Sequence, residues 1–189
     1  MSRNLPVLET ERLILREIED RDCFDMHEYA CLPNVGITAG WEPHDSLGQT
    51  KNVIKLFRGK VNYGQLGVFA VVLKKENKMI GTVELHTYTK GFKAELGYTI
   101  SPYYWGHGYA VEASKALLAW GFDGLELKRI ECIVFADNKQ SIRVCEKLGL
   151  TYECIKKKGY MLYNGYIGDV ACYSIIDDEF YEKIRTCKW

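Results

Sequence analysis

Several protein classes leave marks that this sequence lacks, and each gap narrows the field. It has no C-x-x-C pair. Its seven cysteines (Cys23, Cys31, Cys132, Cys145, Cys154, Cys172 and Cys187) are odd in number and stand singly, which signals neither a disulfide framework nor a zinc knuckle. They read as reduced, mostly packing residues, and no metal is expected. Charge of one sign is also missing: 25 Lys and Arg balance 25 Asp and Glu, so no overall field draws the chain to a phosphate backbone or an anionic membrane. No apolar run approaches the roughly 20 residues of a membrane span. The N-terminal "MSRNLPVLETERLILRE" has no apolar core behind a positive segment, as a secretory leader would. A soluble, cytoplasmic protein without nucleic-acid or membrane partners is expected. Repeats and low-complexity tracts are absent as well. At 189 residues and 47% hydrophobic content, the chain can bury one sizeable core, and we expect a single domain over 1–189.

What is present alternates between two periods. "RLILR" (Arg12 to Arg16) reads as a half-buried strand, and the acidic "EDRD" after it supplies capping groups for a helix running towards Cys31. Pro33, Gly36, Gly40 and Pro43 suggest a loop, followed by a helix over "SLGQTKNVIKLFRGKV". "LGVFAVVLKK", "KMIGTVELHTYT" and "FKAELGYTIS" are rich in Val, Ile, Thr and Tyr and joined by short polar or glycine-containing links, which predicts three antiparallel strands. Helical spacing returns from His107 to Phe122. "RIECIVFA" then reads as a strand, "NKQSIRVCEKLG" as a helix stopped by Gly149, and "LTYECIKKK" and "DVACYSII" as the last strands.

The stretch "YYWGHGYAVEA" (Tyr103 to Ala113) links the third of those strands to the following helix. Gly106 and Gly108 remove side chains where the backbone turns and where a ligand can approach. The first N–H groups of a helix have no internal partner and lie at the positive end of its dipole, so the turn suits an anion such as a pyrophosphate. A glycine pair alone fits an ordinary strand-to-helix turn equally well. The second element tips the reading. "ELGYTISPYYWGHGYAVEASKALLAWGF", followed by "RIECIVFADNKQSIRVCEKLGL" and preceded by "LETERLILRE", resembles the GNAT acyl-CoA N-acyltransferases, in the branch that contains the ribosomal-protein N-terminal acetyltransferases acting on alanine or serine.

That resemblance implies a mixed α/β GNAT fold: a mostly antiparallel, splayed sheet of about six to seven strands flanked by about four helices. It also implies acetyl-CoA as co-substrate. The turn of Gly106, His107, Gly108, Tyr109 and Ala110 would hold the pyrophosphate by its amides, with Trp105 beside it. The strand Tyr98, Thr99, Ile100 and Ser101 would pair with the pantetheine arm. Asn138 and Ser141, three apart on one helix face, would contact the cofactor, and Ser141 could give a proton to the departing thiolate. Asn138 is in any case a good N-cap. Tyr103 occupies the loop position where the family carries Arg or Gln.

For acetyl transfer an ammonium must lose a proton before the amine can attack. Glu95 and Glu84 are the candidate bases, although a strand charge is more often in a salt bridge or in solvent, and Glu131 is a weaker third. Tyr166 and Tyr173 are acceptor-side or core candidates. Trp41, His44 and Asp45, in "CLPNVGITAGWEPHDS", could line the acceptor pocket. The expected reaction is transfer of an acetyl group to a primary amine, with a protein N-terminus or a small molecule as acceptor, by a monomer or homodimer. The alternatives are an acyl-CoA sensor without turnover on the same fold and, last, a nucleotide-binding protein of Rossmann type.

Overall fold

The structure, a computed structural model, describes residues 5–187 and 189; the first four residues of the N-terminal stretch lie outside that range. Eight strands form one sheet in the order β1-β2-β3-β4-β5-β6-β8-β7. They are β1 (Leu8–Glu9), β2 (Leu13–Glu17), β3 (Val68–Leu73), β4 (Lys78–Thr89), β5 (Lys93–Ile100), β6 (Arg129–Phe135), β7 (Thr151–Met161) and β8 (Ile167–Ile176). Among the described residues there are six α-helices: α1 (Cys23–Ala30), α2 (Pro33–Ala39), α3 (Leu47–Gly59), α4 (Tyr109–Ala119), α5 (Lys139–Lys147) and α6 (Asp177–Arg185).

Sequence reading missed three short elements. The stretch punctuated by Pro33 and Gly40 is a helix, not a loop: Pro33 takes the first helical position, where its missing N–H costs nothing, and Gly40 ends the helix at φ 81°. Helix α6 starts under three acidic residues, Asp177, Asp178 and Glu179, which suit its dipole. The two-residue β1 is too short to show a period. The longer elements fall where the patterns put them.

Strand β3, "VFAVVL", is buried along its whole length because helices cover both faces of the sheet there. Leu13, Leu15, Phe69, Val71 and Leu85 pack with Ala113, Leu117 and Leu118 of α4 on one side. Ile18, Ala70, Val72 and Met79 pack with Met26, Tyr29 and Ile54 on the other. Strands β5 and β6 instead alternate buried with half-buried residues, one face covered and one open, and the site lies there.

The decisive feature is the contact between β5 and β6. It is the sheet's one parallel pairing among the described strands, and it covers only Lys93↔Arg129, Ala94↔Ile130 and Glu95↔Glu131. Beyond Glu95 the two strands part. Strand β6 continues against β8 as far as Phe135↔Val170, while β5 continues against β4 as far as Ile100↔Gly81. A V-shaped gap therefore opens in the middle of the sheet and exposes backbone on both of its arms.

Candidate active site

Two cavities meet at this gap from opposite faces. The first, about 280 Å³, is walled by the end of β5, the turn after it, the first turn of α4 and one face of α5 that includes Arg143 and Lys147. The second, about 260 Å³, lies on the open face of the sheet. Tyr98, Thr99, Asn138 and Ser141 line both. A molecule in one cavity can thus touch a molecule in the other across these four residues.

The first cavity is built for an anion at its mouth. Gly106 and Gly108 both have φ 81°, in the left-handed region that a side chain would strain. Gly108 is the N-cap of α4, and the first amide to find a partner in the helix is that of Glu112, on the Gly108 carbonyl at 3.0 Å. The amides of Tyr109, Ala110 and Val111 are left facing outward, as at any helix start. The Trp105 indole donates to the Ile100 carbonyl at 2.7 Å and closes the strand end. Tyr98, Ile100, Trp105, Gly106, Gly108, Tyr109, Ala110, Asn138 and Ser141 all line this cavity. Two expected contacts do not. Ser101 is buried, and the exposed His107 ring stacks on Tyr109 with its Nδ1 2.8 Å from the Trp105 carbonyl oxygen, so that only its backbone faces the turn. Tyr103 points to solvent.

The N-terminal hairpin braces this turn. Arg12 Nη1 donates to the His107 carbonyl at 3.0 Å and Nε to the Glu112 carboxylate at 2.6 Å. The Arg12 guanidinium lies 4.5 Å from the centre of the Tyr109 ring. The Thr10 hydroxyl and the Arg12 amide donate to the other Glu112 oxygen at 2.6 and 2.9 Å. These partners hold the Glu112 carboxyl below its ordinary range despite partial burial.

Asn138 caps α5 by accepting from the Ser141 amide at 3.1 Å. The Tyr98 hydroxyl donates to the Ser141 carbonyl at 3.3 Å, and burial pushes the proton affinity of Tyr98 well up. Ser141 lies in the walls of both cavities.

The open face follows from strand register. Glu84 faces Gly97 and His86 faces Glu95 across the β4–β5 pair, and alternation places all four on one face. Glu84, His86, Glu95 and Gly97 line the second cavity with Trp41, Phe57, Phe135 and Tyr160. Gly97 makes room for its neighbours: a Cβ there would stand 3.2 Å from His86 Cδ2 and 3.5 Å from Glu84 Cγ. Glu84 is ion-paired with Lys60. Glu95 is different in kind. Burial raises its pKa against the lowering effect of His86, whose Nε2 is 3.7 Å away, and Glu131 raises it further. His86 had no motif to point to it. Only the pairing that sets it opposite Glu95 brings it into view.

The remaining candidates separate. Glu131 is tied to Lys93 and Arg129 at 3.1 and 2.9 Å and lies outside the cavity wall. Trp41 lines the cavity, but His44 is buried under it with Nδ1 2.9 Å from the Thr50 hydroxyl, and Asp45 is outside. Tyr173 belongs to the core and Tyr166 is exposed.

A splayed β5–β6 pair, a glycine turn opening a helix on one side and a carboxylate-lined cavity on the other are the architecture that the motifs led us to expect, and comparison decides the family. Residues 12–151 match the Acetyltransferase (GNAT) domain. The chain belongs to the GNAT acetyltransferase family. It is 34% identical over 174 residues to the N-acetyltransferase YoaA of Bacillus subtilis (strain 168), covering 90% of this chain and 97% of that one. The crystal structure of a GNAT-family acetyltransferase from Bacillus anthracis superposes with a TM-score of 0.82 at 30% identity, over 92% of this chain and 100% of the other. Ribosomal-protein-S5-alanine acetyltransferase from Vibrio fischeri gives 0.76 at 26% identity, over 92% and 98%. The protein is therefore a GNAT N-acetyltransferase, with acetyl-CoA the acyl donor of the family and an amine the acceptor. Among the described residues no helix is long and apolar enough to cross a membrane.

Proposed function

We propose that this acetyltransferase modifies the N-terminal α-amine of a polypeptide, with acetyl-CoA in the first cavity and the peptide N-terminus in the second. The observation that carries the reading is a carboxylate of raised proton affinity, Glu95, in the wall of the second cavity opposite His86. Glu95 accepts the proton, assisted by His86. The α-amine itself has a pKa near 8, against about 10.4 for a lysine-type amine, so a weakly basic carboxylate needs far less driving force to free it. Similarity to the Vibrio fischeri S5-alanine acetyltransferase supports the same acceptor class.

The chemistry follows in one displacement. The amine enters from the Glu84 and Glu95 side and attacks the acetyl carbonyl carbon presented between Tyr98 and Ser141. The carbon–sulfur bond breaks as the nitrogen–carbon bond forms. The amine's proton passes to Glu95, directly or through water, and the Ser141 hydroxyl gives its proton to the sulfur as CoA leaves as the thiol; Ser141 regains a proton from water and Glu95 returns one to it, which closes the cycle. Glu84, whose charge Lys60 neutralises, lines the same cavity and shapes the approach of the amine.

A small cationic amine is the second reading, favoured by the aromatic wall of Trp41, Phe57, Phe135 and Tyr160 around two carboxylates. Acetylation of peptides beginning with Ala or Ser, set beside polyamines and arylalkylamines at equal concentration, separates the two. A kcat/KM at least tenfold higher for peptides supports the first reading. A preference for small amines replaces it with the second. Acetyl-CoA that binds without turnover on any amine would leave only a sensor.

A further inference from the structure

The turn that receives the pyrophosphate is poor in positive charge. From Tyr103 to Val111 its only titratable side chain of basic type is His107, whose ring lies over Tyr109. One turn further on, Glu112 places a carboxylate on the same helix start, where an incoming dianionic group would feel it. Arg143 and Lys147 of α5 stand in the wall of the same cavity, but the cation that holds the turn itself comes from about a hundred residues away in the chain.

We propose that Arg12 is a positioning residue for the cofactor: from the turn between β1 and β2 it fixes the anion-binding turn through the His107 carbonyl and cancels the charge of Glu112. The proposal rests on the acetyl-CoA reading of the first cavity. The geometry is specific. One arm of the guanidinium holds the peptide carbonyl between the two glycines at 3.0 Å. The other arm and Nε hold Glu112, each at 2.6 Å. The same Nη2 is the nearest group, at 3.7 Å, to where a Gly108 side chain would begin. Fixing the His107 carbonyl sets the orientation of the peptide plane it shares with the Gly108 N–H, an amide of the cradle. A planar fork can do both at once, and a lysine cannot.

A plain tether between the hairpin and α4 would use the same contacts, so the test must separate support of the fold from support of the pyrophosphate. S-acetylpantetheine carries the same thioester and pantetheine arm but has no pyrophosphate. Steady-state kinetics with acetyl-CoA and with S-acetylpantetheine, on wild type, Arg12→Met, Arg12→Lys and the double variant Arg12→Met/Glu112→Gln, are the experiment. Arg12→Met should raise KM for acetyl-CoA about tenfold, the order expected for one charge-assisted contact. Its kcat and its KM for S-acetylpantetheine should stay within about twofold of wild type. The double variant should recover part of the loss, because the uncompensated carboxylate is gone. Equal increases in KM with both donors, or an unchanged KM for acetyl-CoA, would overturn the proposal. If Arg12→Met does not fold, Arg12→Lys carries the test, with a smaller rise in KM confined to acetyl-CoA. A wild type that uses both donors with equal KM would fail earlier and differently, by removing the pyrophosphate site itself.

Discussion

Changing Glu95 to glutamine should lower activity and raise stability at the same time, for one physical reason. The Glu95 carboxyl is buried at the gap between β5 and β6, with only 20% of its side chain exposed. Burial favours its neutral form, and Glu131 adds repulsion, while His86, Lys156 and Lys93 offset part of this. A carboxyl whose pKa is higher folded than unfolded binds its proton more tightly in the native state. Its contribution is therefore favourable below the unfolded pKa near 4.3 and is lost as pH rises through the folded value. At pH 8 the native protein carries an ionised group in a place that resists the charge, and glutamine removes that cost while keeping the shape. The melting temperature of Glu95→Gln should exceed that of wild type at pH 8, by about 2–4 °C for each kcal/mol relieved in a protein of this size. The excess should shrink as the pH is lowered through the raised pKa. In the same variant kcat should fall by about 10²-fold or more, the usual share of a positioned base, with KM for acetyl-CoA unchanged. The acidic limb of the pH–rate profile should flatten. Thermal melts from pH 4 to 8 beside thiol-release kinetics measure both. Wild-type turnover removes Glu95 as the base; a lower melting temperature at pH 8 than at pH 4.5, relative to wild type, refutes the desolvation argument.

Three further perturbations address the rest of the site. Acetyl-CoA at about 100 times its Kd should raise the melting temperature of wild type by about 5–10 °C by mass action, and Gly108→Val, which forces a branched side chain into a left-handed backbone beside the cofactor, should abolish that rise; an undiminished rise in the variant would remove the anion site. Ser141→Ala should cut kcat about tenfold to a hundredfold with KM for acetyl-CoA nearly constant, since proton donation to the thiolate matters only as the bond breaks. A raised KM with kcat untouched would make Ser141 a cofactor contact instead. Gly97→Ala should push His86 aside by a few tenths of an ångström and raise KM for the amine several-fold with cofactor affinity intact, whereas a change in cofactor affinity instead would show that Gly97 faces the wrong cavity.

Local chemistry made part of the site legible. The Gly106 and Gly108 pair and Asn138 announce themselves because a positive φ and an N-cap are decided within a few residues. His86 and Arg12 carried no comparable sign. One lies mid-strand in "VELHT" and the other in a hairpin far from the turn it braces, and each acquires its role only from a partner distant in sequence. His44 illustrates the converse: it sits in the right segment but turns inward to Thr50, a choice made by packing.

By itself the sequence determined the order of the long elements, the turn that opens α4, the cap that starts α5 and, through these, the family, because periodicity and capping are local and survive without a fold. Only the tertiary structure decided that β5 and β6 pair through three residues and then part, since strand pairing joins segments whose separation no local pattern records. It thereby decided which glutamate faces a histidine at the gap and is raised, which is tied to a lysine and which lies outside the cavity. Burial and charge partners are properties of the folded surroundings, and they turn three similar carboxylates into three different groups.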